Sequence, residues 1–448
     1  MAAVLFLYPE PLQRAMRCLR ARPDPARWAL ALLTALAGAC ESPSAPAARE
    51  RAPGVTDRAA AIHEGLLTLD THLDTPANFA SSDWDIMQRH DLVSDLSQVD
   101  FPRLVSGGLD GGFWAIYTRQ GPRSLEGNAQ ARDAALLRAL SIREMIAAHA
   151  DQFELALRAD AADALARRHK RVVYLSIENS YPLTSDLSLL KAFYDFGVRM
   201  VGPVHTTNND FADSSTDAAG PEWHGLSELG KRLVSEANRL GMILDGSHAS
   251  DSALDQLIEL SKTPVILSHS SCKAVFDHPR NVDDDRLRRL AAAGGVIQMN
   301  SLSDYLISAP KTPERSAALR KLYDELGRGP LDATGRLRFA AAKRDLDKQH
   351  PVPRASFDDY MAHVLHALRL VGPDHVGIGA DWDGGGGVVG MEDVTSLPKI
   401  TERLLREGYD EAALQKIWSG NVLRLLAQAE AQAQLLALQQ DERPPVPQ

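Results

Sequence analysis

The chain has 448 residues, enough for one large domain or two to three ordinary ones, and 44% hydrophobic with 24% charged residues is ordinary globular composition. Its formal net charge of −10 leaves no basic excess to neutralise phosphates, which argues against a general nucleic-acid binder.

The N-terminal segment reads as an export signal, not as part of the fold. Arg17, Arg20, Arg22 and Arg27 precede an apolar stretch from Trp28 to Ala39, followed by Cys40. That pattern is too short for a transmembrane helix and matches a bacterial secretory signal, with Met16 as a candidate start. "LAGAC" resembles a lipobox, although Leu36 stands one place early and Ala37 occupies the usual leucine position. Lipidation of Cys40 and plain export with cleavage nearby both stay open. The expected organisation is a signal and lipobox region over 1–40, a Pro/Ala/Ser-rich tether over 41–56, a single folded domain over 57–432 and a disordered tail over 433–448. The cysteines are Cys18, Cys40 and Cys272; with Cys18 removed and Cys40 lipidated, Cys272 has no partner, and the domain is then expected to be held by its core and not by disulfides.

Short β-branched segments then alternate with amphipathic helical stretches. Strands are expected near 65–70, 112–117, 171–178, 198–205, 241–248, 264–269, 295–300 and 375–381. Eight strand–helix units predict α/β architecture: a single (β/α)8 TIM-like barrel. An open doubly wound sheet competes, but no glycine-rich dinucleotide fingerprint follows the first strand. Charged helical sequence from Lys311 to Pro353 breaks the alternation and reads as a helical insertion between strands seven and eight. The C-terminal stretch reads as one or two helices, broken at Ser419–Gly420–Asn421.

In such a barrel the C-terminal strand ends converge on one face. Here the ends carry His72 and Asp74, Glu178, His205, His248, His269 and Asp381. A single histidine in that place is more often a hydrogen-bonded rim residue than a ligand. Six of eight strands closing on His, Asp or Glu favours convergence on a metal. Imidazoles and carboxylates without thiolates suit zinc or a similar first-row ion. The set is too large for one tetrahedral ion with an open position, and two ions bridged by a carboxylate would use it, roughly 3.5–4 Å apart, activating a shared water.

These residues stand in longer motifs: "DTHLDTP", "QVDFPRLVSGGLDGGFWAIY", "IEN", "GVRMVGPVHTTNNDFADSS", "GLSELGKRLVSEANRLGMILDGSH", "TPVILSHSSCKAVFDHPRNV" and "HVGIGADWDG". Together, from about Thr68 to Leu426, the chain resembles the membrane dipeptidase (renal dipeptidase-like) family of zinc peptidases, with barrels of the amidohydrolase type. The resemblance implies two Zn2+ per chain: His72 and Asp74 on one, His248 and His269 on the other, and Glu178 bridging. It implies that His205 contacts substrate and supports the tetrahedral intermediate, that Arg280 holds the substrate's C-terminal carboxylate, and that Asp381 shuttles protons. The implied activity is hydrolysis of dipeptides, D-residues at the C-terminal position included.

Several readings stay paired with plainer ones. Arg280 could instead bond one of Asp283 to Asp285. Asp383 could orient the site or cap its loop. Trp114 and Tyr117 could line a pocket or fill the core. Asp245 reads as structural, Cys272 as a buried thiol, and His224, His278, His350 and His375 as chemically idle. Gly246 replaces a bulkier residue often seen in the family, Asn179–Ser180 replaces a common small pair, and Gly384 to Gly387 are expected to loosen their loop. Other functional readings are a related metallohydrolase of β-lactams, lactones or N-acyl amino acids, or a catalytically silent substrate-binding lipoprotein. The expected partners are a small dipeptide substrate, no nucleic acid, and a membrane only through the Cys40 anchor. The sequence leaves a monomer and a homodimer both open.

Overall fold

A computed structural model describes residues 52–184, 186–327 and 330–441. The export segment, Cys40, the tether up to residue 51 and the tail from 442 lie outside the described residues. The strands are β1 (Leu69–Leu73), β2 (Gly111–Ile116), β3 (Phe153–Leu155), β4 (Arg171–Ile177), β5 (Val198–Val201), β6 (Ile243–Leu244), β7 (Ile266–Ser270), β8 (Val296–Met299) and β9 (Val376–Ile378).

Every pairing between these strands is parallel, as strands separated by helical crossovers require. Two runs of neighbours, β1-β2-β4-β5-β6 and β7-β8-β9, are joined by a parallel bridge between Asp245 and Ile266. A second parallel bridge, Leu73 to Trp382, returns the chain beyond β9 to β1 and closes an eight-stranded ring. This is the expected (β/α)8 barrel.

Strand β3 stands outside the ring and was not expected. It pairs the first half of β4, from Phe153↔Arg171 to Leu155↔Val173, while β5 pairs the second half. Its three residues sit in a stretch whose local composition reads as helix, so only the partner strand makes it extended.

The floor of the barrel is apolar. Leu69, Phe113, Tyr174, Met200, Ile243, Ile266 and Val296, contributed by seven different strands, pack with Val422, Leu425 and Leu426 of the last helix. Each such side chain contributes roughly 1.5–3 kcal/mol on burial. That helix spans Asn421–Asp441 and so runs through the boundary at 432, which corrects the start of the expected tail. Its Ala, Gln and Leu residues are good helix formers and carry it on. The expected break at Ser419–Gly420 is a π-helical turn over Lys416–Gly420.

Hydroxyl and carboxylate caps start several of the crossover helices. Ser124, Ser227, Ser250 and Asp283 each accept the backbone N–H three residues on. The insertion is a pair of helices, Pro313–Leu326 and Ala333–Gln349, between β8 and β9. It is pinned to the loop after β1: Ala333 N–H and Arg336 Nη1 donate to Asp83 at 2.6 and 2.8 Å. The Arg344 guanidinium also donates to the Val93 carbonyl.

Candidate metal centre

The register of the ring is regular except in a few places, and two of those carry histidines. The β1–β2 pairing slips between Asp70 and Leu73, and the β7–β8 pairing slips between Leu267 and Ser270. His72 and His269 lie within these irregularities, which turn side chains out of the normal alternation. Three further residues reach the same mouth from left-handed backbone: His248 (φ 66°), Asp381 (φ 66°) and Asp383 (φ 64°). Such a conformation costs about 1 kcal/mol or more for a residue with a Cβ.

The result is a cluster centred on one oxygen. Glu178 Oε1 has the Nε2 atoms of His248, His269, His205 and His72 at 3.2, 3.4, 3.5 and 3.7 Å. His72 Nε2 lies 3.3 Å from Asp74 Oδ2, and the Nε2 atoms of His248 and His269 are 2.9 Å apart. The rings of His72 and His269 stack at 3.8 Å. His72, Glu178, His248 and His269 are buried; His205 has 21% of its side chain exposed and lies at the open edge, against the Tyr117 ring.

Burial and neighbouring charge set the protonation of these groups. Burial raises Glu178 above the usual carboxylate range against the pull of His72, and it raises Asp381 likewise. Burial holds His248 and His269 well below the ordinary imidazole pKa and brings His205 down to about 4. Burial also works against charge on His72, yet Glu178 and Asp74 beside it lift its pKa to about 10. Three imidazoles held neutral, packed with carboxylates and with a fourth imidazole whose charge those carboxylates sustain, are a donor set that suits a divalent cation.

Geometry agrees with that donor set. Ligands on one tetrahedral ion with bonds of about 2.0–2.1 Å lie roughly 3.3 Å apart. Most of the separations around Glu178 and Asp74 are close to that edge. Three sets of ligating atoms, His72/Glu178/His269, Glu178/His205/His248 and His72/Asp74/Asp381, each fall within 4.8 Å of one another. His72 Nε2 is buried with no hydrogen-bond partner, as an unfilled ligand atom would be. The residues therefore fit a metal, with Glu178 common to two of the sets.

Arg280 is buried and does not pair with Asp283, Asp284 or Asp285, which bond Arg286, His366 and Arg288 instead. Its Nη1 donates to Ser270 Oγ at 2.6 Å and its Nη2 to the His269 carbonyl at 2.7 Å, while Nε has no partner. Asp381 accepts from Asn300 Nδ2 at 3.3 Å. Asp383 accepts from Thr75 Oγ1 at 2.7 Å and from Gln98 N–H at 2.6 Å, so its carboxylate braces the loops on either side of the mouth.

The tetraglycine loop is tight, not loosened. Gly386 N–H donates to the Asp381 carbonyl at 2.8 Å and Gly387 N–H to Ser301 Oγ at 2.8 Å. A Cβ on Gly384 would lie 2.1 Å from Asp74 Oδ2 and 2.3 Å from Asp381 Oδ1, so the close approach of the loop demands glycine. Between this loop and the helical insertion lies a cavity of about 670 Å³, whose lining includes Gln98, Arg315, Arg354, Asp383 and Gly384. That is within the size range of small-ligand sites.

The remaining readings resolve simply. Trp114 is core, packed on Phe79 and Phe153, whereas Tyr117 borders His205. Cys272 is a free buried thiol whose pKa burial pushes up to about 12. At Gly246 a Cβ would meet Leu254 Cδ1 at 2.7 Å, so a larger residue there requires that leucine to shift. Sequence reasoning passed over Asn300, although it closes the seventh expected strand with a polar group; Asp245, read as structural, has a carboxylate that bonds Ser247 and Ser268.

Residues 56–440 match the family described as membrane dipeptidase (peptidase family M19). Dipeptidase tcpJ of Claviceps purpurea (strain 20.1) is 31% identical over 78% of this chain and 73% of its own length. Dipeptidase 3 of Mus musculus is 29% identical over 84% of this chain and 67% of its own length. A crystal structure described as the "probable dipeptidase PvdM" from Pseudomonas aeruginosa superimposes with a TM-score of 0.71 at 29% identity, covering 84% of this chain and 98% of that one.

Proposed function

Because the chain belongs to the membrane dipeptidase family, peptidase family M19, we propose that it is a binuclear zinc dipeptidase exported to the cell envelope. As a metallopeptidase of that family it is a hydrolase acting on dipeptides. The observation that carries the finer reading is the position of Glu178: one carboxylate oxygen faces four imidazole nitrogens within 3.7 Å. His72, Asp74 and Glu178 would hold one ion, and Glu178, His248 and His269 the other. Bound there, the ions would supply Lewis-acid charge and lower the pKa of water towards neutrality.

The chain's own groups account for the rest. Arg280 is buried beside the cluster, and its unpartnered Nε leaves a donor for an incoming carboxylate. A guanidinium suits that task because its planar fork matches a carboxylate. The clamp selects peptides whose C-terminus lies next to the scissile bond, which means dipeptides, with either hand at the terminal residue. His205 is neutral at pH 7 and at the open edge, so it can offer an N–H to the developing oxyanion without carrying charge itself. Asp381, raised by burial towards neutrality, is suited to take a proton from the attacking water and return it to the departing amine.

Export rests on the Arg-flanked apolar stretch before Cys40, and lipid attachment on "LAGAC". No described helix is long and apolar enough to cross a membrane. Mass spectrometry of the mature N-terminus and membrane fractionation test this part; an unprocessed Met1 or Met16 refutes it.

The catalytic proposal is tested by metal analysis of the purified protein alongside turnover of L,L- and L,D-dipeptides and β-lactams. About two zinc ions per chain with dipeptide hydrolysis is the expected result. Full dipeptidase activity in a metal-free preparation refutes it.

A further inference from the structure

The mechanism above needs His269 to present a lone pair on Nε2, and something must keep the proton on the other nitrogen. We propose that Asp245 and Ser268, neither of which touches substrate or metal, are positioning residues that fix His269 as its Nδ1–H tautomer. The inference rests on the metal reading of the site but concerns the proton on a ring.

The hydrogen bonds form a chain with a defined direction. Asp245 Oδ1 accepts the backbone N–H groups of Ser247 and Ser268, both at 2.9 Å. Asp245 Oδ2 accepts from the Ser268 hydroxyl. A hydroxyl has a single proton, and here it points at the carboxylate. Ser268 Oγ also lies 2.9 Å from His269 Nδ1, so in that contact the oxygen can only accept. The proton of a neutral His269 must then sit on Nδ1, leaving Nε2 bare towards Glu178 and His248. Asp245 is 3% exposed and Ser268 is fully buried, so water does not compete for these bonds. His248 has no such device: its Nδ1 is buried without a partner. The same strand segment carries the substrate clamp, since Arg280 bonds the His269 carbonyl and Ser270 Oγ.

The isosteric substitution Asp245→Asn makes a sharp test. The two backbone N–H groups fix the new amide with its oxygen in the Oδ1 position, so its nitrogen faces Ser268 Oγ and donates to it. The serine proton then turns to His269 Nδ1, and the imidazole proton is driven to Nε2, where it blocks ligation. Shape and backbone bonds are kept, so a merely structural role for Asp245 predicts no change of tautomer.

The readout is two-bond 1H–15N NMR of the 15N-histidine-labelled, metal-free full chain, with His269 identified by its loss in His269→Gln. Expected are Nδ1–H in the wild type, Nε2–H in Asp245→Asn, and a wild-type pattern in Ser268→Thr, which keeps the hydroxyl. Zinc titration of Asp245→Asn should show about 10- to 100-fold weaker binding. An Nε2–H proton on His269 in the wild type overturns the proposal without recourse to any variant. So does an unchanged tautomer with unchanged zinc affinity in folded Asp245→Asn. If the wild type takes up no zinc, the metal reading fails while the NMR comparison still decides the tautomer.

Discussion

Gly384→Ala isolates the contribution of carboxylate placement. The Gly384 backbone is not among the left-handed glycines, so it tolerates an L side chain, and the cost is purely steric. The new methyl group would stand 2.1 Å from Asp74 Oδ2 and 2.3 Å from Asp381 Oδ1, against an ordinary contact of 3.4 Å or more. Both carboxylates must therefore retreat by about 1 Å, a displacement that costs about 10²-fold in rate when it misplaces reacting groups, or about 2.7 kcal/mol of barrier. Because the obstructed atoms are side-chain termini and not backbone, the fold should survive. The assay is kcat/KM on an L,L-dipeptide in zinc-loaded protein, with zinc content and thermal unfolding measured in parallel. Gly65→Ala, with nothing within 4 Å of the added carbon, is the control and should keep full rate. A loaded Gly384→Ala enzyme within about threefold of wild type would refute the placement of Asp74 and Asp381 described here.

Asp381→Asn should retain zinc yet lose about 10²- to 10⁴-fold in kcat. The wild-type rate should fall as pH drops through the Asp381 pKa, since the working form is ionised, and a pH–rate profile of the variant should lack that acid limb. Arg280→Lys should raise KM at least about tenfold with a smaller change in kcat, because an ammonium cannot reproduce the planar fork; steady-state kinetics decide. In metal-free protein His72, with its pKa lifted to about 10, carries a proton at pH 7. Zinc must displace it, so apparent affinity should rise with pH up to that value, and calorimetry in buffers of different ionisation enthalpy should show proton release. Equal heats in all buffers would contradict this. Cys272, buried with its pKa pushed up to about 12, should resist iodoacetamide at pH 8 until the chain is unfolded, as mass spectrometry will show.

Much of the site was legible because a barrel turns a one-dimensional pattern into convergence. Polar residues that close successive apolar strands, such as Glu178 after Arg171–Ile177, need no long-range information to be grouped. What escaped depends on partners far away in sequence. Phe153–Leu155 becomes a strand only because Arg171–Val173 lies beside it. The tetraglycine run suggested looseness, and only the approach of Asp74, some three hundred positions earlier, shows it to be a tight fit. Asp245 looked structural because its role runs through the Ser268 hydroxyl, whose proton direction follows from two strands together. The bonding of Arg280 could not be read until each nearby aspartate was seen to have another cation or histidine.

The left-handed backbone at His248, Asp381 and Asp383 bears on how this chain would respond to selection for heat tolerance. Backbone held in a sparsely populated region costs stability, and stabilising changes at a strained active site tend to cost function. At the rim of this barrel the relaxed alternatives aim the side chains elsewhere. A screen scored on melting alone would thus enrich substitutions at those three positions and harvest robust, inert protein, while one scored on turnover after heating would leave them untouched.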